Sequence, residues 1–440
     1  MDEIWKLLLG EKTPEYPTLY GSSRFMTKRE QEDLLSCWNK GIVVDGINRI
    51  VRTKTIHALI LSPTGGGKSV WIANNLLRPK GDSYIVTDTS GELFALTSKY
   101  LEKKGYTILH FNLSQDGTKG LKYNPMAFIK SDSEIVRFSK IMIQAQGLDK
   151  GNDPFWQIAT EQLFYILIKT ILKMDNDRQN LSALSHLIDL CSADIEQAES
   201  VMTSYMDDEL YVKFSAFKNY SEKLRTSILA TASAVLSPLN DSYIKELTSG
   251  NDLDISLLRN QKTILYIQNS ERDLSHTAFI RNLLLKDIFY SLLAPRGKKQ
   301  KRVFAFLDEF ANVYIPDFTT LITVCRKYDL NLICAIQDLQ QLQHNYPKAE
   351  ATILSNFQMK IVLAGLNIES TEQISRLLGM ATIVNENKDN SMTGRRLLTA
   401  DEIRTLKSEE GLLIYANKLP IRLIMKPWFK NFWIRLRLGI

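Results

Sequence analysis

Cysteine and histidine are scarce, at four and five in 440 residues. Cys37, Cys191, Cys325 and Cys334 form no C-x-x-C pair and sit beside no histidine cluster. That argues against a zinc site or a disulfide framework and fits a reducing, cytoplasmic compartment. No run of 18 or more apolar residues occurs, so the sequence offers neither a transmembrane helix nor a secretory signal peptide. The opening MDEIWKLLLG is too short to span a bilayer and forms at most an amphipathic turn that docks on a surface. A strong charge imbalance is missing too: 55 basic against 49 acidic residues leave +6, which does not by itself announce a nucleic-acid partner.

What is present is an ordinary globular composition, 44% hydrophobic and 24% charged, with length for two or three domains. Basic residues cluster at Arg296, Lys298, Lys299, Lys301 and Arg302. A second set, Lys430, Arg435 and Arg437, lies in an acid-free tail among Trp428, Phe429, Phe432 and Trp433. Such a tail suits a phosphate backbone with stacked bases, an anionic membrane surface, or plain packing on the body of the protein.

Residues 59–69 read LILSPTGGGKS. An apolar strand running into a glycine-rich turn and then Lys-Ser is suited to hold nucleotide phosphates. The site predicted here comprises Ser62, Pro63, Thr64, Gly65, Gly66, Gly67, Lys68 and Ser69. The glycines let the backbone curl with its N–H groups toward phosphate oxygens, and a helix starting near Lys68 adds its positive dipole end. In this chemistry Lys68 reaches the β- and γ-phosphates and Ser69 ligates Mg2+. The strict pattern G-x-x-x-x-G-K-[ST] is broken by Ser62 at its first position, a residue small enough for the same turn. The plainer alternative is a flexible Gly-rich connection.

Apolar runs recur at 58–61, 84–88, 107–112, 263–268, 303–309, 331–337 and 360–365. Most lack polar alternation, which marks parallel strands covered on both faces. With helical segments such as TEQISRLL at 371–378 between them, they predict a doubly wound α/β domain whose ligand lies at the carboxyl ends of the strands. From about Ser131 to Gly250 amphipathic helical patterns replace strand signals. Roughly 120 residues is too long for an ordinary crossover, so an inserted all-α domain is expected. The expected organisation is an irregular lead-in over 1–50, an α/β domain from 51–130 and 251–427, an all-α domain over 131–250, and a basic-aromatic tail over 428–440. GLLIYA and IRLIMKP predict a closing strand pair.

VFAFLDEF at 303–310 ends an apolar run in paired carboxylates. Beside a phosphate loop, Asp308 suits the orientation of Mg2+ through water and Glu309 suits a general base that polarises the attacking water. Gln337 ends the next strand, where it can sense the γ-phosphate. Arg326 ends the intervening helix, as an arginine finger for a neighbouring subunit or as a cation answering the helix dipole.

LDEFANVYIPDFTTLITVCRKYDLNLICAIQDLQQL resembles a segment of the type IV coupling proteins, the TraG/TraD family of conjugative DNA-transfer ATPases related to the FtsK and HerA translocases. SPTGGGKS, TDTSGELF, YNPMAFI, NDPFWQIATEQL, SNFQMKIVLAG and ISRLLG extend the likeness from about Gly21 to Pro427. The resemblance implies a RecA-like P-loop NTPase domain, a mostly parallel sheet flanked by helices, with an inserted all-α domain. It implies ATP and Mg2+ as ligands, and a homo-hexameric ring that drives single-stranded DNA, with its attached relaxase, into a type IV secretion channel. Implied partners are the relaxosome proteins, received at the all-α domain, and channel components or a separate anchor at the inner face of the cell membrane. Lys68, Ser69, Asp308, Glu309, Gln337 and Arg326 match the family's motif positions. Two departures stand out: Ser90 replaces the lysine that many members carry before Gly-Glu-Leu, and the N-terminal transmembrane helices typical of members are missing. A non-conjugative FtsK/HerA-like translocase and a substrate receptor that binds ATP for assembly without pumping are the competing readings.

Overall fold

Apolar runs without polar alternation can bury both faces of a strand, and the main strands of this chain lie there. The computed structural model describes residues 18–38, 41–46, 49–51, 56–114, 116, 120–145, 154–270, 272, 274, 276–295, 297–310, 315, 317–346, 349–385 and 391–439. The opening MDEIWKLLLG and Arg296 of the basic cluster fall outside these residues. Two compact units form, one from Met1–Arg78 with Ala335–Ile440 and the other from Pro79–Cys334.

In the second unit parallel strands stand in the order 330–334 (the part of Leu330–Ile336 that belongs to this unit), Val303–Leu307, Ser83–Asp88, Thr263–Gln268, Thr107–Asn112. Every residue of Ser83–Asp88, Thr263–Gln268 and Val303–Leu307 is buried. In the register Ile85 lies opposite Leu265 on one side and Ala305 on the other. Each fully buried Ile or Leu of this kind stabilises the fold by about 1.5–3 kcal/mol. The same register sets Thr87 beside Leu307, so Asp88 and Asp308 leave the sheet at adjacent points.

Between Asn112 and Thr263 the described residues hold helices and no strand. The longest are Asp132–Ala145, Pro154–Ile171, Leu181–Ala193, Asp208–Lys218 and Glu222–Val235. Asn180, Asp207 and Ser221 each accept a backbone N–H from three residues on, satisfying donors that a helix start leaves open. Phe138, Phe164, Leu184, Phe214 and Leu229 are buried within this helical region. Where the chain enters it, the buried Tyr123 hydroxyl donates to Asp287 Oδ2 at 2.5 Å, and Lys286 donates to Asp287 Oδ1 at 2.7 Å.

In the first unit Ala58–Leu61 runs parallel to Met359–Leu363. Met359–Leu363 pairs antiparallel with Glu410–Tyr415, which pairs antiparallel with Ile421–Ile424, the expected closing pair. Two elements differ from the sequence reading. The hairpin of Met380–Asn385 and Ser391–Arg396 is not among the strands expected from the sequence; its second strand, SMTGRR, is largely exposed and carries no apolar run. The lead-in is not wholly irregular: Lys28–Leu34 is a helix begun by a capping box in which Thr27 and Glu30 bond reciprocally.

Candidate nucleotide site

The wholly buried strand Ala58–Leu61 delivers Ser62, itself 0% exposed, to the start of the glycine turn. Ser62 N–H donates to Ile336 O at 3.1 Å, and Gly66 N–H donates to Pro63 O at 3.0 Å. A Cβ on Gly66 would come within 2.5 Å of Ser62 Oγ and 2.8 Å of Pro63 Cδ, so the serine in place of the motif's first glycine still requires glycine opposite it. Gly67 has φ +99°, a left-handed conformation that costs other residues free energy, and it caps the helix Lys68–Leu76. Lys68 is buried, and its Nζ donates to Ser62 O at 3.1 Å and Pro63 O at 3.2 Å, which folds the ammonium back over the loop. Ser69 follows on the first helical turn, half-buried.

Beside the loop is a cavity of about 250 Å³. Its lining includes Gly65, Gly66, Gly67, Trp71 and Asn74 from the loop and its helix, and Leu363, Ser408, Met425, Pro427 and Phe429 from later segments. Asn74 Nδ2 donates to Lys426 O at 3.2 Å, which fastens the later segment to the loop's helix. Sequence reading misses this wall, since its later part, from Ser408 to Phe429, lies more than 300 positions beyond the glycine loop and carries no motif. Gln337 stands one residue beyond the carbonyl that receives the Ser62 N–H, and its own N–H donates to Gln341 Oε1 at 3.1 Å.

The carboxylates belong to the second unit. The buried strand Val303–Leu307 ends in Asp308, whose Oδ1 accepts the Glu309 N–H at 3.0 Å. Thr87 Oγ1 donates to Asp308 O at 3.0 Å. Glu309 has φ +50°, which costs a non-glycine residue on the order of 1 kcal/mol and commonly marks a functional position. A cavity of about 10 Å³ is lined by Thr87, Asp88, Asn269, Arg281, Asp308 and Glu309, which is room for about one water. Burial pulls the Arg281 guanidinium down to about 10. Burial pushes the Asp88 carboxyl up, and backbone N–H groups of Phe94, Leu93 and Gly91 oppose that shift.

Arg281 and Asp88 are additions to the site residues read from the sequence. Asp88 carries the same signature as Asp308, an apolar strand ended by aspartate, whereas Arg281 lies on a helix, Ala278–Leu292, whose residues are mostly buried. Arg326 is half-buried in the 3-10 turn Cys325–Tyr328. Among the described residues no group of three or more His, Cys, Asp or Glu is placed to hold a metal ion. Ser69 carries a hydroxyl and Asp308 a carboxylate, each a hard oxygen donor of a type that Mg2+ takes.

A family model described as "Type IV secretory system Conjugative DNA transfer" matches residues 22–438. Protein VirD4 of Rhizobium radiobacter is 26% identical over 394 residues, 83% of this chain and 56% of that protein. Conjugal transfer protein TraG of Escherichia coli is 24% identical over 373 residues, 77% of this chain and 57% of that protein. The chain therefore spans little more than half the length of these relatives. Among solved structures, the plasmid coupling protein TrwB in complex with the non-hydrolysable GTP analogue GDPNP is similar with a TM-score of 0.72 at 18% identity, over 94% of this chain and 96% of that one. The fold is accordingly the RecA-like one, a large, mostly parallel sheet flanked by helices with an all-α domain. Since the family match takes in the phosphate loop, the helical region and the paired carboxylates together, the chain belongs to the type IV secretory system conjugative DNA-transfer family.

Proposed function

We propose that this chain is an ATP-driven motor that delivers single-stranded DNA, with its attached relaxase, to a type IV secretion channel. The observation that carries this reading is the phosphate loop: a left-handed Gly67 capping a helix, with the buried Lys68 ammonium folded over it. In this reading the Ser62–Ser69 backbone cradles the phosphates, and Lys68 exchanges its loop carbonyls for β- and γ-phosphate oxygens. TrwB structures with ADPNP and with ADP and Mg2+ support nucleotide and Mg2+ as ligands here. Ser69 and Asp308 would hold the ion, which would neutralise charge on the phosphate oxygens. Glu309 takes a proton from the attacking water, Gln337 senses the γ-phosphate, and Arg326 acts on the nucleotide of a neighbouring subunit within a homo-hexamer. The family membership supports DNA, relaxosome proteins and channel components as partners. No helix among the described residues is long and apolar enough to cross a membrane. In this reading the motor works at the inner face of the cell membrane, beside the secretion channel.

Glu309→Gln tests the chemistry. It should bind ATP with wild-type affinity while turnover falls by roughly 10²-fold or more. Normal hydrolysis by this variant would remove Glu309 from the base role.

A further inference from the structure

The helix Phe432–Leu438, FWIRLRL, leaves an apolar face that the motor chemistry does not use. With 3.6 residues per turn, Phe432, Trp433 and Leu436 fall on one side of it and Ile434 on the other. Their exposures follow that division: 69%, 67% and 60% for the three, against 3% for Ile434. Ile434 thus holds the helix on the body while the outer face remains apolar. Arg435 and Arg437 are exposed and lie on opposite flanks of that face, while Lys430, just before it, is ion-paired with Glu409. No Asp or Glu occurs from Lys426 to the end of the sequence. Phe429 and Ile424 add 47% and 58% exposed apolar side chains in the same segment. Scattered exposed apolar residues are ordinary, but three sharing one face between cationic flanks make an interaction surface.

We propose that this face docks on an anionic phospholipid surface, with Phe432, Trp433 and Leu436 entering the headgroup boundary and Arg435 and Arg437 reaching lipid phosphates. The charge complements such a lipid surface, and arginines on the flanks can extend to phosphates while their stems cover apolar surface. Trp and Phe suit the interfacial depth. Single-stranded DNA fits less well, since Leu436 and Ile424 have no π face on which a base can stack. The proposal deepens the membrane recruitment suggested above and rests on that part of the reading alone.

The test is co-sedimentation of the full chain with vesicles of phosphatidylglycerol and phosphatidylcholine, against vesicles of phosphatidylcholine alone. Binding to the anionic vesicles is expected, weakening with salt, with little binding to the neutral ones. Trp433→Ser with Leu436→Ser, and separately Arg435→Gln with Arg437→Gln, should each weaken binding roughly tenfold or more. Thermal melting and ATP turnover in solution should stay unchanged, which separates failure at this face from failure of the motor. If the serine pair melts early, the glutamine pair decides. A wild-type chain that ignores anionic vesicles, or variants that bind them normally, overturns the proposal. Loss of oligothymidylate binding in these variants without a vesicle effect overturns it in favour of DNA.

Discussion

Thr87 donates its hydroxyl to the backbone carbonyl of Asp308 at 3.0 Å in the interior of the second unit. The two residues sit where adjacent parallel strands end, and the next residue, Glu309, adopts a left-handed conformation. A side-chain bond from one strand therefore holds the backbone of the other at the point where strain begins.

Thr87→Val keeps the shape and removes the donor. It should cost about 1–3 kcal/mol of stability by leaving a buried carbonyl without that partner. It should also lower turnover more than ATP affinity, and Thr87→Ser should restore both. Denaturant midpoints with kcat and KM for the three proteins check this. Wild-type turnover in the valine variant would mean that Asp308 and Glu309 are held by other contacts.

Tyr123, Asp287 and Lys286 form a buried polar group beside the entry to the helical region. Tyr123→Phe removes one donor and should destabilise by about 1–3 kcal/mol. Asp287→Ala leaves the Lys286 ammonium buried without its carboxylate and should cost more, about 3–5 kcal/mol. Chemical denaturation of the two variants should reproduce that ranking, and the reverse ranking would count against the ion pair as the stronger element.

His110 stacks on Phe94 with ring centroids 4.0 Å apart, and its Nε2 lies 2.9 Å from Gln268 Oε1. Burial holds its imidazole below the ordinary 6.5, with Gln268 and Asp116 opposing the shift. The unfolded chain therefore takes up the proton first. The stability from this group is full above the unfolded value and is lost as pH falls through the folded one. Melting temperature should drop between about pH 7 and pH 5, and less so in His110→Gln. An equal drop in the variant would assign the pH dependence elsewhere.

The strands are legible in the sequence because burial on both faces leaves an unbroken apolar run, and the phosphate loop is legible because its chemistry is local. Asp308 reads as functional because Glu309 follows it. Asp88 does not, because its significance comes from the register that sets its strand beside Val303–Leu307. Arg281 carries no local signal at all: on a helix buried nearly all round, only three-dimensional placement shows which side chain lines the small cavity by Asp308. The same holds for Met425, Pro427 and Phe429, brought to the glycine loop by contacts such as Asn74 with Lys426. Conversely, Thr27 and Glu30 show a capping signature three residues apart that sequence reading can find.

The most direct measurement is steady-state ATP hydrolysis by the purified chain with and without single-stranded DNA, repeated across salt concentration. A DNA-driving motor should be strongly stimulated by DNA, with stimulation fading as salt rises because phosphate contacts release counterions. Lys68→Ala should abolish the stimulated turnover. Tight ATP binding with turnover near zero under every condition, or stimulation that survives Lys68→Ala, would contradict the motor assignment.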